Sequence, residues 1–236
     1  MSLNDIIILS GVFYYIKGVH MPFKGAIFDV DGVIIDTAHI HHKSWEVVLK
    51  KHGIKFTYAD FKSKVDGLPR AKGAAKILPH FTKKQINHVF EEKQKYFLKF
   101  LDKEKIKVFY STVSLIKKLK KHGIKLAMAS SSRNAANNLK KVGLFKHFHV
   151  DAEGAYVKRG KPYPDLFLKA AKNLKVKPAD CVVFEDAQIG LIAAKRAGMK
   201  SVGVKRDVNN KLRGADLIVK DLGAVSIKKL ESLFLL

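Results

Sequence analysis

Acidic and hydroxyl side chains follow three apolar runs of the sequence, at the points where predicted strands end. Asp29 and Asp31 close the first run, and Glu185 and Asp186 follow a later one. Between them, three consecutive serines at positions 130–132 follow another apolar run. Because the ligand site of an open parallel sheet lies beyond the carboxyl ends of its strands, we expect these side chains to meet at one edge.

Carboxylates crowded at one edge repel each other unless a cation lies among them, and hard oxygen donors of this kind suit Mg²⁺. Lys161, on a Gly-Lys-Pro turn ahead of a predicted helix, adds a positive charge to the same edge. A carboxylate beside Mg²⁺ and a lysine can attack phosphorus as a nucleophile, since the charge on the phosphoryl oxygens is neutralised. In the Asp29-Val30-Asp31 run, the second aspartate lies within reach for proton transfer. These residue types therefore predict metal-assisted phosphoryl transfer.

The segments that must position these residues alternate between short apolar runs and longer amphipathic stretches, a pattern typical of parallel βαβ units. The predicted strands cover residues 26–30, 125–129, 181–184, 201–204 and 217–219. Helix patterns that end near a glycine, a proline or a polar turn cover residues 113–122, 133–142, 165–173 and 187–197. The sequence thus predicts an α/β fold with a doubly wound parallel sheet.

A long stretch, residues 39–107, separates the first two predicted strands and exceeds the length of one crossover helix. Its pattern is helical, broken by glycines and a proline, so we predict an inserted helical cap domain over residues 38–107. The α/β core domain then takes residues 21–37 and 108–236, and residues 1–20 form an extension of unknown role. The apolar stretch at residues 6–16 is shorter than the ~18 to 20 residues that cross a bilayer, so we expect no membrane partner.

The net charge favours an anionic partner. The 236 residues include 45 lysines and arginines against 21 acids, a formal charge of +24, which suits nucleic acid, an anionic membrane or a phosphorylated metabolite. The lysine pairs are scattered, with no arginine-rich tail or aromatic-basic strip, so we favour solvated helix faces over nucleic-acid binding. One cysteine, Cys181, excludes an internal disulfide and indicates a reducing compartment, so we expect a cytoplasmic location.

Four motifs, in chain order, resemble those of the haloacid dehalogenase superfamily of phosphotransferases. They are Phe28-Asp29-Val30-Asp31-Gly32-Val33-Ile34-Ile35-Asp36-Thr37, Ala129-Ser130-Ser131-Ser132, Gly160-Lys161-Pro162 and Glu185-Asp186. The resemblance runs from about Phe23 to the C-terminus and is nearest to the β-phosphoglucomutase group, whose helical cap is inserted between the first two motifs. It implies a Rossmann-like core, a Mg²⁺ cofactor and a small phosphorylated sugar as substrate.

The same resemblance implies roles for the core residues. Asp29 would be the nucleophile that becomes an aspartyl phosphate, and Asp31 would be the general acid and base. Ser130 and Lys161 would hold the transferring phosphoryl group. The metal ligands that it implies are Asp29, the backbone carbonyl of Asp31, Asp186 and, in support, Glu185.

For the cap, the resemblance implies substrate-binding residues. Arg70 would clamp a second phosphate with two hydrogen bonds, and His41 and Trp45 match the mutase pattern. The full substrate-binding set that it implies is His41, Trp45, Gly67, Arg70, Lys93, Ser131, Ser132, Arg133 and Asn134. Packing in the cap core is an alternative role for Trp45. The run His39, His41 and His42 could suggest zinc, but it lacks a further ligand nearby in the sequence, so a hinge role for His41 is favoured.

One position departs from the mutase pattern and leaves two activities open. Where the mutases have a lysine before a glycine, this chain has Asp66-Gly67. The first expectation is a β-phosphoglucomutase, which interconverts β-glucose 1-phosphate and glucose 6-phosphate. The alternative is a sugar-phosphate phosphatase, in which water takes the phosphoryl group. In both cases we expect a monomer.

Overall fold

The computed structural model describes residues 6–9, 12–15, 22–66, 70–153, 157–206 and 211–235. Within these ranges the strands are β1 (Ile6–Leu9), β2 (Val12–Tyr15), β3 (Gly25–Phe28), β4 (Ile35–Asp36), β5 (Lys107–Val108), β6 (Lys125–Ser130), β7 (Val150–Glu153), β8 (Cys181–Glu185), β9 (Lys200–Val204) and β10 (Leu217–Val219). The α-helices are α1 (Ala38–Lys51), α2 (Tyr58–Lys64), α3 (Arg70–Ile77), α4 (Lys83–Lys103), α5 (Tyr110–Lys121), α6 (Ala135–Lys141), α7 (Asp165–Leu174), α8 (Gln188–Arg196) and α9 (Ile227–Glu231).

Six parallel strands form the central sheet, in the order β10-β9-β8-β3-β6-β7. β3 lies in the middle, with Ala26 paired to Leu126 on one side and to Val182 on the other. All four residues of β3 are buried, as expected for a strand covered on both faces. Since the strand order extends outward from β3 in both directions, the predicted doubly wound sheet is confirmed.

Helices cover both faces of the sheet, and the alternation of side chains along each strand divides the core in two. Ala26 and Phe28 pack on the face covered by α5, α6 and α9, whereas Ile27 packs on the face covered by α7 and α8. This period of two is a property of extended backbone, in which successive side chains point to opposite faces. The two apolar layers hold β3, and the catalytic candidates that follow it, in a fixed place.

The four helices α1 to α4 lie between β4 and β5, two short strands that pair in antiparallel fashion and connect these helices to the core. They share an apolar cluster of their own, built around Trp45, Phe61 and Phe90. α2 and α4 each begin at a capping box, in which a threonine side chain and the third helical residue satisfy each other's backbone N–H groups. These helices therefore begin where the local sequence dictates.

The structure adds strands that the sequence pattern did not predict. β7, at the edge of the sheet, contains Asp151 and Glu153, so its sequence is not an apolar run of the kind that predicts a buried strand. β4 and β5 have two residues each, too few for a recognisable pattern. In the N-terminal extension, β1 pairs with β2 as an antiparallel hairpin. Among the described residues, no helix combines the length and apolar character needed to cross a membrane.

Candidate active site

Three carboxylates meet at the carboxyl edge of β3 and β8, as the sequence predicts. The backbone N–H of Asp29 donates to the Phe184 carbonyl at 2.9 Å, which places Asp29 beside the end of β8, where Glu185 and Asp186 follow. Oxygen atoms of Asp29, Glu185 and Asp186 all lie within 4.8 Å of one another. The topology thus joins Asp29 to Glu185, 156 positions later in the chain.

Lys161 lies between two of these acids. Its Nζ is 2.6 Å from Asp29 Oδ1 and 2.7 Å from Glu185 Oε2, and its side chain is only 5% exposed. Burial alone would lower the pKa of this lysine, but the two carboxylates outweigh burial and raise it. Lys161 therefore stays protonated and supplies a fixed positive charge beside Asp29.

The negative charge of the cluster exceeds what one lysine can balance. Burial raises the pKa of Glu185 to about 7, raises that of Asp186 well above its usual value, and raises that of Asp29 in spite of Lys161. A divalent cation among these oxygens would remove the cost of keeping them ionised, and hard oxygen donors are the ligands that Mg²⁺ prefers. The residues present therefore fit a Mg²⁺ site. Both oxygens of Glu185 already accept hydrogen bonds, from Lys161 and from the Ala187 N–H at 3.1 Å.

Two glycines make room for the carboxylates. Gly32 has a φ of +83°, and a Cβ there would lie 1.9 Å from Asp186 Oδ2. On α8, a Cβ at Gly190 would lie 2.1 Å from the carboxyl carbon of Glu185. The space that a side chain would fill at each position is occupied by an acid, so the tight packing of the cluster requires glycine at both.

The Asp31 carboxyl combines a short hydrogen bond with a raised pKa. Its Oδ1 accepts a hydrogen bond from the Thr37 hydroxyl at 2.5 Å. Burial is the main cause that raises the pKa of Asp31 to about 7, and the negative charge of Asp29 adds to it, while the Thr37 hydrogen bond opposes the rise. A carboxyl with this pKa exchanges a proton readily near neutral pH.

The serine turn after β6 leads into α6. Ser130 is buried, and its Oγ accepts a hydrogen bond from the Ser132 N–H at 3.0 Å. The Ser132 Oγ in turn accepts from the Asn134 N–H at 3.2 Å, while Ser131 and Arg133 are exposed. The α-helix begins at Ala135 rather than at residue 133, because these hydroxyls hold the preceding residues in a turn.

Comparison with known proteins places the chain in a family. The model for haloacid dehalogenase-like hydrolases matches residues 23–198. The chain belongs to this family. It is 33% identical over 214 residues to a β-phosphoglucomutase of Bacillus subtilis (strain 168). This alignment covers 88% of this chain and 93% of the relative. A phosphorylated carbohydrates phosphatase of Thermotoga maritima is 31% identical over 218 residues, covering 89% of this chain and 96% of the relative.

A solved structure agrees with this assignment. The crystal structure of a β-phosphoglucomutase from Clostridium difficile is similar with a TM-score of 0.82 and 31% identity, covering 90% of this chain and 97% of that one. The resemblance drawn from the four motifs is therefore confirmed, and this haloacid dehalogenase-like hydrolase is an enzyme. Because mutases and phosphatases are similar to it at nearly equal identity, family membership does not distinguish the two activities.

In the cap of this hydrolase, three of the predicted substrate-binding residues lie together. The Lys93 Nζ is 2.7 Å from His41 Nδ1, and the His41 ring stacks on Phe97 at 4.3 Å between centroids. Lys93 is buried, and its Nζ lies 5.9 Å from the centre of the Trp45 ring. Trp45 itself is buried in the apolar cluster of the cap, where it contacts Phe90 edge to face.

The region around Asp66 faces the core acids. Gly67 and the side chain of Arg70 lie outside the described part of the structure. Asp66 forms an ion pair with Lys62 one helical turn earlier. Burial is the main cause of the raised pKa of Asp31, and the negative charge of Asp66 adds to the rise there and at Asp186. The Lys62–Asp66 ion pair of the cap therefore lies near enough to the core acids to act on them electrostatically.

Two polar contacts in the site were not predicted from the sequence. Gln94 on α4 and Asn134 before α6 exchange hydrogen bonds through both atoms of their amides, at 2.7 and 3.3 Å. The second is the Thr37 hydroxyl on Asp31. Thr37 could have been found, because it ends the first motif. The amide pair could not, since no spacing rule connects residues 40 positions apart on different domains.

Proposed function

We propose that this enzyme transfers the phosphoryl group of a small sugar phosphate through an aspartyl phosphate on Asp29, and that it is a β-phosphoglucomutase. The observation that carries the proposal is the buried Lys161 ammonium between Asp29 and Glu185. Asp31 follows Asp29 by two residues, and its carboxyl has a pKa of about 7. Nucleophilic phosphoryl transfer uses a carboxylate nucleophile, a fixed positive charge beside it and a nearby proton donor.

In the first step, a carboxylate oxygen of Asp29 attacks phosphorus. Its Oδ1 is held by Lys161, which leaves Oδ2 to form the new O–P bond. As the P–O bond to the sugar breaks, the electron pair stays on the sugar oxygen, and the protonated Asp31 donates its proton to that oxygen. The products of this step are an aspartyl phosphate and a sugar hydroxyl.

In the second step, a hydroxyl of the sugar attacks the phosphoryl group on Asp29. Asp31, now deprotonated, accepts the hydroxyl proton, and the Asp29 carboxylate leaves with the electron pair of the broken O–P bond. Lys161 and Ser130 hold the phosphoryl oxygens in both directions. Asp29, Asp186, the backbone carbonyl of Asp31 and Glu185 would hold Mg²⁺, which supplies positive charge against the phosphoryl oxygens.

A mutase must keep water away from the aspartyl phosphate until the sugar arrives, and the cap can do this. The Gln94–Asn134 amide pair connects α4 of the cap to the start of α6 in the core. His41 and Lys93 place polar groups on the cap. The relatives support this substrate class, because the named activities of the Bacillus and Thermotoga proteins both concern phosphorylated carbohydrates.

A sugar-phosphate phosphatase is the second candidate, and Asp66 is the observation that favours it. Its charge, which the ion pair with Lys62 offsets in part, disfavours a phosphate at the place where the mutase pattern has a lysine. A cap that closes less firmly over the sugar admits water to the aspartyl phosphate. Water then replaces the sugar hydroxyl in the second step, Asp31 accepts the proton of water, and inorganic phosphate leaves.

One incubation separates the two activities. The protein receives Mg²⁺, β-glucose 1-phosphate and a trace of β-glucose 1,6-bisphosphate, and glucose 6-phosphate and free phosphate are measured together, with Asp29→Asn as the control. Glucose 6-phosphate without matching free phosphate would establish the mutase. Free phosphate alone would establish the phosphatase and direct the work to other sugar phosphates. If the Asp29→Asn variant still formed both products as the wild type does, the role of Asp29 would be overturned.

A further inference from the structure

Arg206, just after β9, makes contacts with the loop that follows the catalytic aspartates. Its Nε donates to the Gly32 carbonyl at 2.9 Å, and its Nη2 donates to the Val33 carbonyl at 3.1 Å. The side chain is only 18% exposed. Gly32 and Val33 directly follow Asp31, so a charged side chain from a distant segment holds two consecutive peptide groups beside the general acid and base.

Other contacts fix the orientation of the Arg206 guanidinium. Its Nη1 donates to Asp221 Oδ2 at 3.0 Å, and its Nη2 also reaches the Thr112 hydroxyl at 3.4 Å. Its flat face lies over the Phe109 ring, 3.6 Å from the ring centre. Only a planar group with several donors can bind a carboxylate, two carbonyls and an aromatic face at once, and a lysine ammonium cannot.

Hydrogen bonds within the loop and from the start of α5 also anchor the segment that Arg206 holds. The Gly32 N–H donates to the Ile35 carbonyl, and the Ile34 and Ile35 N–H groups donate to the Val30 carbonyl. The Val33 carbonyl also accepts from Thr112 at 2.8 Å, and the Phe109 N–H donates to the Ile34 carbonyl. Phe109 and Thr112 lie at the start of α5, immediately after β5 brings the chain back from the cap. Arg206 thus contacts the catalytic loop and the return point of the cap together.

We propose that Arg206 is a positioning residue for phosphoryl transfer, which keeps the Asp29–Asp31 loop in place against Asp186 and the base of the cap. The proposal rests on the proposed function. A Cβ at Gly32 would lie 1.9 Å from Asp186 Oδ2, so this part of the loop packs tightly against Asp186, and a shift of the Gly32 carbonyl would move the loop relative to that acid. Displacement of a reacting group by about 1 Å can reduce a rate about 100-fold, even when the substituted residue lies away from the chemistry.

The test measures the rate of phosphorylation per active site. Wild-type protein and variants react with p-nitrophenyl phosphate and Mg²⁺ under rapid mixing, and the first turnover of nitrophenolate gives both the rate constant and the number of working sites. We expect Arg206→Ala to lower this rate constant about 10- to 100-fold. A residue that only stabilised the fold would lower the number of working sites and leave the rate constant unchanged.

Two further variants keep the result decisive. Lys205→Ala removes the neighbouring positive charge while the Arg206 contacts remain, and its rate constant should equal that of the wild type. Arg206→Lys keeps the charge but loses the planar fork, so its rate constant should fall to a lesser extent than that of Arg206→Ala. If Arg206→Ala does not fold, Arg206→Lys takes its place as the test variant. Hydrogen exchange at the Gly32 and Ile35 amides should become faster in both Arg206 variants.

The outcomes separate this inference from the proposed function. Wild-type protein that forms no phosphoenzyme with this aryl phosphate or with the sugar phosphates would overturn the proposed function, and the inference with it. Active wild-type protein with unchanged rate constants in both Arg206 variants would overturn the inference alone. A slower rate constant per site in the Arg206 variants, with Lys205→Ala unchanged, would support it.

Discussion

Replacing Lys161 with methionine removes the positive charge between Asp29 and Glu185 and keeps a side chain of similar length. In the native protein the ammonium lies 2.6 Å from the first carboxylate and 2.7 Å from the second, with 5% of the lysine side chain exposed. Removing one partner of a buried ion pair costs about 3–5 kcal/mol, because the remaining charge is left without a partner in a poorly hydrated place. We expect Lys161→Met to lower the free energy of unfolding by this amount at about pH 8.

This loss should depend on pH. Burial already raises the pKa of Glu185 to about 7 and raises that of Asp29, and removal of the ammonium raises both further. When the pKa of a carboxyl is higher in the folded state than in the unfolded state, its contribution to the free energy of unfolding is complete below the unfolded-state pKa. That contribution is lost as the pH rises through the folded-state pKa. At about pH 5 the two acids of the variant are more fully protonated than at about pH 8, so less unpaired charge remains. The loss of stability there should be less than half of the loss at the higher pH.

Urea unfolding followed by circular dichroism measures the loss at both pH values. A chelator in the buffer keeps divalent cations from replacing the missing charge. Lys158→Met is the matched control, because Lys158 is exposed and its substitution makes the same change in charge nearby. An equal loss for Lys161→Met at both pH values would refute the reasoning, since it would show that the lysine contributes packing rather than charge.

Three further substitutions test other contacts of the site. Thr37→Val removes the hydrogen bond that lowers the pKa of Asp31, so the alkaline fall in the pH–rate profile should move upward from near 7 by about one unit, the equivalent of a ~1.4 kcal/mol hydrogen bond. Gln94→Leu breaks the amide pair with Asn134; we expect several-fold more free phosphate relative to sugar transfer and a stability loss below about 1.5 kcal/mol in thermal unfolding. Gly32→Ala would place a Cβ 1.9 Å from a carboxylate oxygen, so activity should be lost and unfolding should become easier by more than about 2 kcal/mol.

Each of these substitutions has a matched control. Gly123 also has a positive φ, +74°, but a Cβ there would meet nothing within 4 Å; Gly123→Ala should cost only about 1 kcal/mol of backbone strain and leave activity unchanged. Thr37→Ser keeps the hydroxyl, so its pH–rate profile should match that of the wild type. Lys95→Leu changes the exposed residue after Gln94 and should leave the product ratio unaltered. A control that behaves like its test variant would contradict the corresponding explanation.

The sequence predicted the central sheet well because buried parallel strands are continuous apolar runs. β3, β6, β8, β9 and β10 all lie where such runs occur. β7 could not be found in this way, because two of its four residues are acidic and it lies at the edge of the sheet. Its place is set by pairing with β6, from Ala127 opposite Val150 to Ser130 opposite Glu153, which is a tertiary contact that no local pattern records.

For the site, the sequence predicted which groups meet but not how they are held. The convergence of Asp29, Glu185 and Asp186 follows from one topological rule, that parallel strands end at the same edge. The position of Lys161 between two of them depends on a turn whose path cannot be derived from its own residues. Arg206 gave no signal, because its partners include backbone carbonyls, and every residue carries one of those.

The charge of Asp66 in the cap affects the free energy of cap closure over a substrate. The chain as a whole is strongly positive, and this field attracts a phosphorylated substrate from solution. At the carboxyl edge acidic side chains predominate, and the cap adds the negative charge of Asp66 together with the positive charge of Lys62, its ion-pair partner. The Asp66 carboxylate disfavours a phosphate and favours a sugar hydroxyl, because a carboxylate accepts hydrogen bonds from hydroxyls, and Lys62 offsets part of its charge. On this reasoning the balance between the charges of Lys62 and Asp66 sets how firmly the cap closes over a phosphate, and the firmness of cap closure sets the balance between transfer to sugar and transfer to water.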